Sequence, residues 1–454
     1  MTDLSLADFQ PLEPGQEIHG ISRPSQSYWQ DAWARLKVNK RALVSLYLVI
    51  GLLLFTIAGP WVWTVDPAQQ DLDQVSRPPG ADRNALIVAD YAPWQTEGLS
   101  FGEGLKVVGD PTTQAVKLKW DAIPGANGHR IYRNIFPIGP ERSYGIPRAE
   151  FFDNRVVTFE DRLDLKALTY YYVLVPLGPR GELLDNYEVI EVDVHRVTTI
   201  VEAVDRGLIE ESANLQIGDE INLDWHPFGT DYLGRDLLAR LMAGARVSLF
   251  IGIGAPFLFV LFGVFYGSIA GFVGGRVDQV MMRFADFVVA LPFLLFMILF
   301  KISFGIGPGE SGVFPMLVAL VVLMWPATSR LVRGQILQIR EQGYIHASQL
   351  LGAPTRYLIL RHMIPNTLGV VLVTITFAIP SAIFTEAFLS FIGMGVAPPT
   401  PSWGSMSNEG IKTMLTTPHE LIFPALFISI TVLAFNLLGD GLRDALDARM
   451  RNQE

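Results

Sequence analysis

The sequence predicts an all-α polytopic membrane domain of six transmembrane helices that carries a mainly β extracytoplasmic insert. Half of the 454 residues are hydrophobic and only 18% are charged, against roughly a quarter charged in soluble domains. The deficit sits in runs long enough to span a bilayer, whereas residues 66–225 are as polar as a soluble domain. That stretch holds 27 acidic and 15 basic residues, a net of −12, which leaves +2 for the rest of the chain out of a total of −10. An acidic insert beside a weakly basic membrane part argues against a nucleic-acid partner, which needs a concentrated Lys/Arg face.

The first residues, MTDLSLADFQPLEPGQEIHG, are acidic and polar, unlike a secretory leader. Residues 1–41 are therefore expected to form a cytoplasmic tail and an elbow helix. In SYWQDAWARLKVNKRALV, Tyr28, Trp29, Ala32, Trp33 and Leu36 fall on one helical stripe with basic residues around it. Two readings are open for this helix: it lies in the membrane interface, or it packs its stripe on protein. The first span, 42–63, follows and is expected to stay as an anchor. The chain has no cysteine, which excludes thiolate metal sites, disulfides and cysteine nucleophiles.

The insert, 66–225, reads as strands. In AVKLKWDAIPGANGHRIYRNIF, Val116, Leu118 and Trp120 alternate with polar residues, a Pro-Gly turn follows, and Ile131 and Tyr132 begin a second run. TYYYVLVPLGPRGELLDNYEVIEVDV supplies two more strands around its Gly-Pro-Arg-Gly turn. The Trp strand, the GHRIYR strand and the late YYYVLVP strand resemble a fibronectin type III sandwich over about 105–200.

Five further apolar runs follow, at 247–271, 284–304, 313–330, 367–391 and 420–439. Pro256, Pro292, Pro326 and Pro380 inside them are tolerable where neighbouring helices satisfy the freed backbone groups. Basic residues in short flanks set the orientation: Arg35, Lys37, Lys40 and Arg41; Arg276 and Arg283; Arg330, Arg333, Arg340, Arg356 and Arg361; Arg443, Arg449 and Arg451. All four groups lie inside if both termini are cytoplasmic, which puts the insert outside. Arg235, Arg240 and Arg246 dissent, but they end a long translocated segment, where the rule is weak.

Between the fourth and fifth spans lies EQGYIHASQLLGAP, residues 341–354. On a helix Tyr344, Ala347, Ser348 and Leu351 share one face. Gly352 suits a left-handed helix stop and Pro354 forbids continuation. Small residues at 347 and 348 admit a close neighbour, with Tyr344 and Leu351 to grip it. Pattern alone leaves open whether that neighbour is the chain's own bundle or another protein.

His346, Ala347 and Ser348, Gly352 and then Pro365 in LILRHMIPN look like the EAA loop of importer-type ABC transporter permeases. HPFGTDYLGRDLLARLMAGARVSL (226–249), RFADFVVALP (283–292), TEAFLSFIGMGVAPPTPSWGSM (385–406) and NLLGDGLRDALDARMR (436–451) are similar to the dipeptide/oligopeptide/nickel permease family, specifically its C-type subunit. The resemblance covers most of 226–451 together with SYWQDAWARLKVNK and omits nearly all of 66–225. It implies an ABC importer type I permease whose core, 226–451, carries the coupling loop at about 340–366. His346 stands where the family loop is named for glutamate, which removes a carboxylate contact.

No lysine follows a glycine anywhere, so no GxxxxGK[ST] phosphate loop is present. Energy must come from another chain. The resemblance implies a homologous B-type permease subunit, two ABC ATPase subunits that bind ATP and magnesium, and an extracytoplasmic substrate-binding protein. It places the chain in the cell inner membrane, importing short peptides, with nickel chelates, glutathione or peptide-like antibiotics as family alternatives. No cofactor or metal is expected on this chain, because its histidines nowhere pair at ligand spacing.

Candidate site residues are therefore Tyr344, His346, Ala347, Ser348, Leu351, Gly352 and Pro365 for coupling. Glu386 is the intramembrane acid, read either as a gate or pathway group or as a cap on a short helix after a span ending near Pro380. Asp231, Gly234, Arg235 and Asp236 are read as ordering the loop into the second span, with Asp231 at an N-cap or turn. Asp286 is read as an ion pair with Arg283. Two other classes stay open. An ion-coupled secondary transporter would need several buried acids and repeat symmetry, and a membrane-anchored binding or enzymatic domain would place its chemistry in 66–225.

Overall fold

A computed structural model describes residues 28–71, 74–95, 104–137, 144–180, 183, 185–210, 214–304 and 312–446. The tail at 1–27 and the basic residues Arg449 and Arg451 lie outside the described residues.

Helix α1 (Tyr28–Val38) is the elbow. Ala32 and Leu36 are buried, Leu36 packing with Ala42 and Ala445, while Trp33 stays half exposed beneath the Lys37 ammonium. The side chains of Tyr28 and Trp29 lie outside the described residues. Asn39 then caps α2 (Lys40–Ile57) by accepting the Ala42 N–H, and one short turn, α3 (Gly59–Val62), leads out of the bundle.

Among the described residues, five helices are long and apolar enough to cross a membrane, or six if one bent pair counts as a span. They are α2, α5 (Leu237–Val273), α8 (Val313–Arg340), the stretch Thr355–Phe391 and α13 (His419–Leu446), with the pair α6 (Gly275–Ala290) and α7 (Phe293–Ser303). Thr355–Phe391 comprises α10 (Thr355–Tyr357), a π-helical turn at Leu358–Met363 and α11 (Ile364–Phe391).

The expected third span, 284–304, is thus not one helix. It breaks at Leu291–Pro292 with a bend of 84°, because Pro292 drives the preceding residue out of the helical region and Leu291 sits at ψ 126°. The second span begins ten residues before its predicted start, and α8 and α13 run past theirs. Charge within these helices explains the difference. Arg240 is buried and held by carboxylates, so it needs no bulk water, while Arg246 stays exposed and donates once to the Thr56 carbonyl.

Helix α5 is the centre of the bundle, taking part in both large apolar clusters. Gly263, Gly267 and Gly271 repeat every four residues on the side facing α8. A Cβ at Gly267 would stand 2.2 Å from the Ser329 carbonyl oxygen. The two backbones touch because nothing projects between them, as in small-residue membrane interfaces. Arg333 forms a two-pronged pair with Asp278, tying α8 to α6, and Asp286 pairs with Arg330 as well as with the expected Arg283.

The insert contains two facing sheets. One is β2 (Lys106–Val107), β3 (Val116–Lys119) and β6 (Thr158–Asp161). The other orders β5 (Ala149–Phe151), β4 (Gly128–Asn134), β7 (Thr169–Leu177) and β8 (Glu188–Asp193), all antiparallel. Val116, Leu118, Trp120, Ile131, Tyr172 and Leu174 fill the space between them. Tyr172 donates to Asp161, and burial followed by that carboxylate pushes its phenol far above the ordinary range.

A separate small sheet pairs β1 (Asn84–Val88) in parallel with β9 (Val197–Thr199) and antiparallel with β10 (Glu220–Asn222). It packs against α4 (Ile200–Asp205) through Ile87 and Ala203.

The segments entering and leaving the insert lock onto each other at the head of α5. Thr230 and Arg77 exchange bonds, the Thr230 N–H donating to the Arg77 carbonyl and the Arg77 N–H to the Thr230 hydroxyl. The Ser76 N–H reaches the Asp231 carbonyl at 2.7 Å. Gly234, at φ +75°, allows this approach, since a Cβ there would lie 1.8 Å from the Asp71 carbonyl oxygen. Asp71 and residues 74–77 therefore pack with 230–234.

Candidate functional site

Helix α9 (Gly343–Leu350) follows α8 after a two-residue break. Ile345 is fully buried and pins the helix to the cluster containing Ile336, Ile359 and Met363. Its end is a complete Schellman stop: Gly352, at φ +84°, donates to the Gln349 carbonyl and Ala353 to that of Ser348. Pro354 opens the next turn.

The Ser348 hydroxyl bonds back to the Tyr344 carbonyl, and the Tyr344 hydroxyl accepts from Asn366 at 3.0 Å. His346 and Ala347 are exposed, as is Pro365. Leu350 and Leu351 are each 89% exposed, so neither packs on this chain. Pro365 has no N–H to close on the Arg361 carbonyl, and the backbone just before it widens into the π-helical turn. Leu350, adjacent to Leu351, is an apolar contact that the face count missed, since it stands one position off the chosen stripe.

Glu386 lies in an unbroken α11, so the reading in which the span ends near Pro380 is corrected. The helix continues because Pro380 removes one N–H donor without interrupting the packing of Ile379 and Ile383 on either side. Glu386 is fully buried. Its Oε2 accepts from Ser248 of α5 and its Oε1 from Ser390, each at 2.8 Å. Ser248 in turn accepts the Trp403 N–H at 3.3 Å. Trp403 starts α12 (Trp403–Ile411), whose Gly404 leaves no room for a Cβ beside the Ala387 carbonyl. One carboxylate thus joins three helices. Nothing in the sequence pattern pointed to Ser248, which is separated from Glu386 by 138 positions.

At the insert side of α5, Asp236 is the N-cap, accepting the Ala239 N–H at 2.6 Å, while its other oxygen meets His226 Nδ1 at 2.7 Å. Asp231 forms the turn rather than the cap. Its Oδ1 accepts from the backbone of Leu233 and Arg235, each at 2.9 Å, and its Oδ2 from Arg235 Nε and Arg240 Nη1. Glu409 of α12 accepts from the same two arginines at 3.2 and 2.7 Å. Two bases and two acids therefore balance in a nearly dry site. Arg240 and Glu409 escaped sequence reasoning because their partnership spans 169 positions.

The family model described as a binding-protein-dependent transport system inner membrane component matches residues 263–452. The model for the N-terminal TM domain of oligopeptide transport permease C matches 27–79. The chain is 48% identical over 240 residues to the oligopeptide transport system permease protein OppC of Bacillus subtilis, covering 53% of this chain and 77% of that one. It is 48% identical over 227 residues to the dipeptide transport system permease protein DppC of the same organism, covering 50% and 69%. Among solved structures, an inward-facing MetNI methionine ABC transporter aligns at TM-score 0.37 and 16% identity, covering 45% of this chain and 94% of that one. With nearly half the residues shared across most of a relative's length, the chain belongs to the oligopeptide/dipeptide permease family of ABC importers, as a C-type subunit with its permease fold.

Proposed function

We propose that this chain is the transmembrane permease subunit of an ATP-driven importer of peptides, forming half of the translocation pathway and coupling to an ATPase through residues 341–365. The observation that carries the reading is α9: a helix pinned by one buried isoleucine, stopped by Gly352, and presenting Leu350 and Leu351 at 89% exposure. An apolar pair left bare at the end of a short helix held beside the spans is a contact awaiting another protein. Tyr344, His346, Ala347 and Ser348 complete that surface, and Pro365 sets where α11 departs from it. ATP and magnesium belong to two partner ATPase subunits, a B-type permease supplies the other half of the pathway, and an extracytoplasmic binding protein delivers the peptide. Closure of the ATPase pair would move α9 and, through α8, the spans.

The chain lies in the inner membrane with both termini cytoplasmic and the insert outside, a topology supported by the basic flanks. The three-strand and four-strand sheets support a fibronectin type III-like sandwich for the insert. Glu386 serves as a brace that holds α12 against α5 and α11, and Asp231, Gly234, Arg235 and Asp236 order the mouth beneath the insert.

The test is co-purification of the tagged full chain, expressed with its neighbouring subunits, comparing wild type with Gly352→Asp. A Cβ at Gly352 meets nothing within 4 Å, while its φ of +84° strains any side chain, so the variant loosens the helix stop and adds a charge beside Leu351 without a steric clash. Wild type should recover an ATPase and the folded variant should lose it. Equal recovery from both would sink the coupling assignment.

A further inference from the structure

Between the sandwich, the small sheet and the loop joining α12 to α13 runs a cleft of ≈ 1370 Å³, larger than the roughly 300–1,000 Å³ of drug-sized sites. Its walls expose apolar side chains from two sides: Ile135, Phe136 and Leu168 from the sandwich and Leu415 from the loop. Arg77 lines the same cleft yet is only 7% exposed.

The Arg77 backbone is fixed by Thr230, and its guanidinium makes one hydrogen bond among the described residues, from Nη1 to Gln74 Oε1 at 2.8 Å. A guanidinium has five N–H groups to satisfy, and a buried charge left without a partner is costly. Asp82 and Asp71 lie within electrostatic reach and favour the charge, but neither hydrogen-bonds the guanidinium. Asp71 accepts from Gln74 and Arg206, and Asp82 accepts the Asn84 N–H. Burial, and then the neighbouring Arg196, hold the Arg77 guanidinium down at about 10, still protonated at neutral pH.

We propose that this cleft binds the carboxylate end of a short peptide, with Arg77 as the anchor. A guanidinium matches a carboxylate with two parallel bonds, and the apolar walls favour an organic anion over an inorganic one. Asp164 and Glu220 line the same cleft and offer negative charge to an α-ammonium. Thr230, which holds Arg77, also meets His419 at the head of α13 through its carbonyl. A bound peptide would therefore rest directly over the permease mouth. The proposal rests on the importer reading.

The test is calorimetric binding of trialanine and of trialanine amide to the full chain in lipid nanodiscs. Trialanine should bind saturably and the amide about tenfold or more weaker, since one charge-assisted pair is lost. Arg77→Gln should reduce the acid to the amide's affinity and leave the amide unchanged. Because Arg77 is buried, Leu168→Asp provides a second variant at an exposed wall position, expected to weaken trialanine about tenfold by like-charge repulsion. Equal binding of acid and amide, no binding of either, or full affinity in Leu168→Asp would overturn the proposal, and equally tight competition by inorganic phosphate would overturn the peptide class. ATPase co-purification from the same membranes reports separately on the importer reading, so a failed cleft and a failed importer give different results.

Discussion

Replacing Asp231 by Asn tests whether the charge cluster at the mouth holds α12 to α5. The substitution keeps Oδ1, which accepts two backbone N–H groups, and replaces the Oδ2 that accepts from Arg235 and Arg240 with an uncharged NH2, itself a donor. Each charge-assisted bond is worth about 1.5–3 kcal/mol net, and breaking a buried pair from one side costs about 3–5 kcal/mol. Glu409 still accepts from both arginines, which points to the lower end, about 3 kcal/mol. For a chain of this length 1 kcal/mol moves the melting midpoint by roughly 1–2 °C, so a fall of roughly 3–6 °C is expected. The nine tryptophans make intrinsic fluorescence of the detergent-solubilised chain the natural assay. Arg240→Gln and the double variant complete a cycle in which the double loss should fall short of the sum. A shift below about 1 °C, or strict additivity, would refute the cluster as a cooperative unit.

His129 is fully buried with neither ring nitrogen bonded among the described residues, its ring 5.8 Å from Trp120. Burial holds its pKa below the ordinary value. The unfolded chain takes up a proton near pH 6.5 while the fold resists it, so stability is present above that pH and lost as pH falls towards the folded pKa. Melting of the insert should move down between pH 7.5 and 5, by at most ~1.4 kcal/mol per pH unit, and less in His129→Phe; equal acid sensitivity in both would contradict this. Gly267→Ala should destabilise by about 1–3 kcal/mol through overpacking against the Ser329 carbonyl. Gly334→Ala, with nothing within 4 Å of the added carbon, should leave the melting temperature unchanged or slightly raised.

Helix α9 was legible because everything that defines it is local: the exposed stripe, the glycine stop at 352 and the proline at 354. The strands around Trp120 and Tyr172 were legible for the same reason, since alternation is written in consecutive residues. Span limits were not. Hydropathy treats Arg240 as solvent-seeking, and only the folded chain brings Asp231 and Glu409 to it. The break at Pro292 had its residue in plain view, but whether a proline bends or ends a helix depends on neighbours that a sequence does not order. The glycine repeat at 263, 267 and 271 could have been read directly and identifies the α5–α8 contact. Arg77 offered no local signal, because its partner Thr230 lies 153 positions away.

Helix α5 has 37 residues, about 55 Å at 1.5 Å per residue, nearly twice the ~30 Å of a hydrocarbon core. One end carries the arginines that grip the mouth. The other is held by Arg340, which donates to the Gly271 and Phe272 carbonyls and closes α8 just before α9. Such a rod is a lever. A tilt of about 5° about one end would displace the other by about 5 Å, so the two ends of α5, on opposite sides of the bundle, cannot move independently while the helix stays straight.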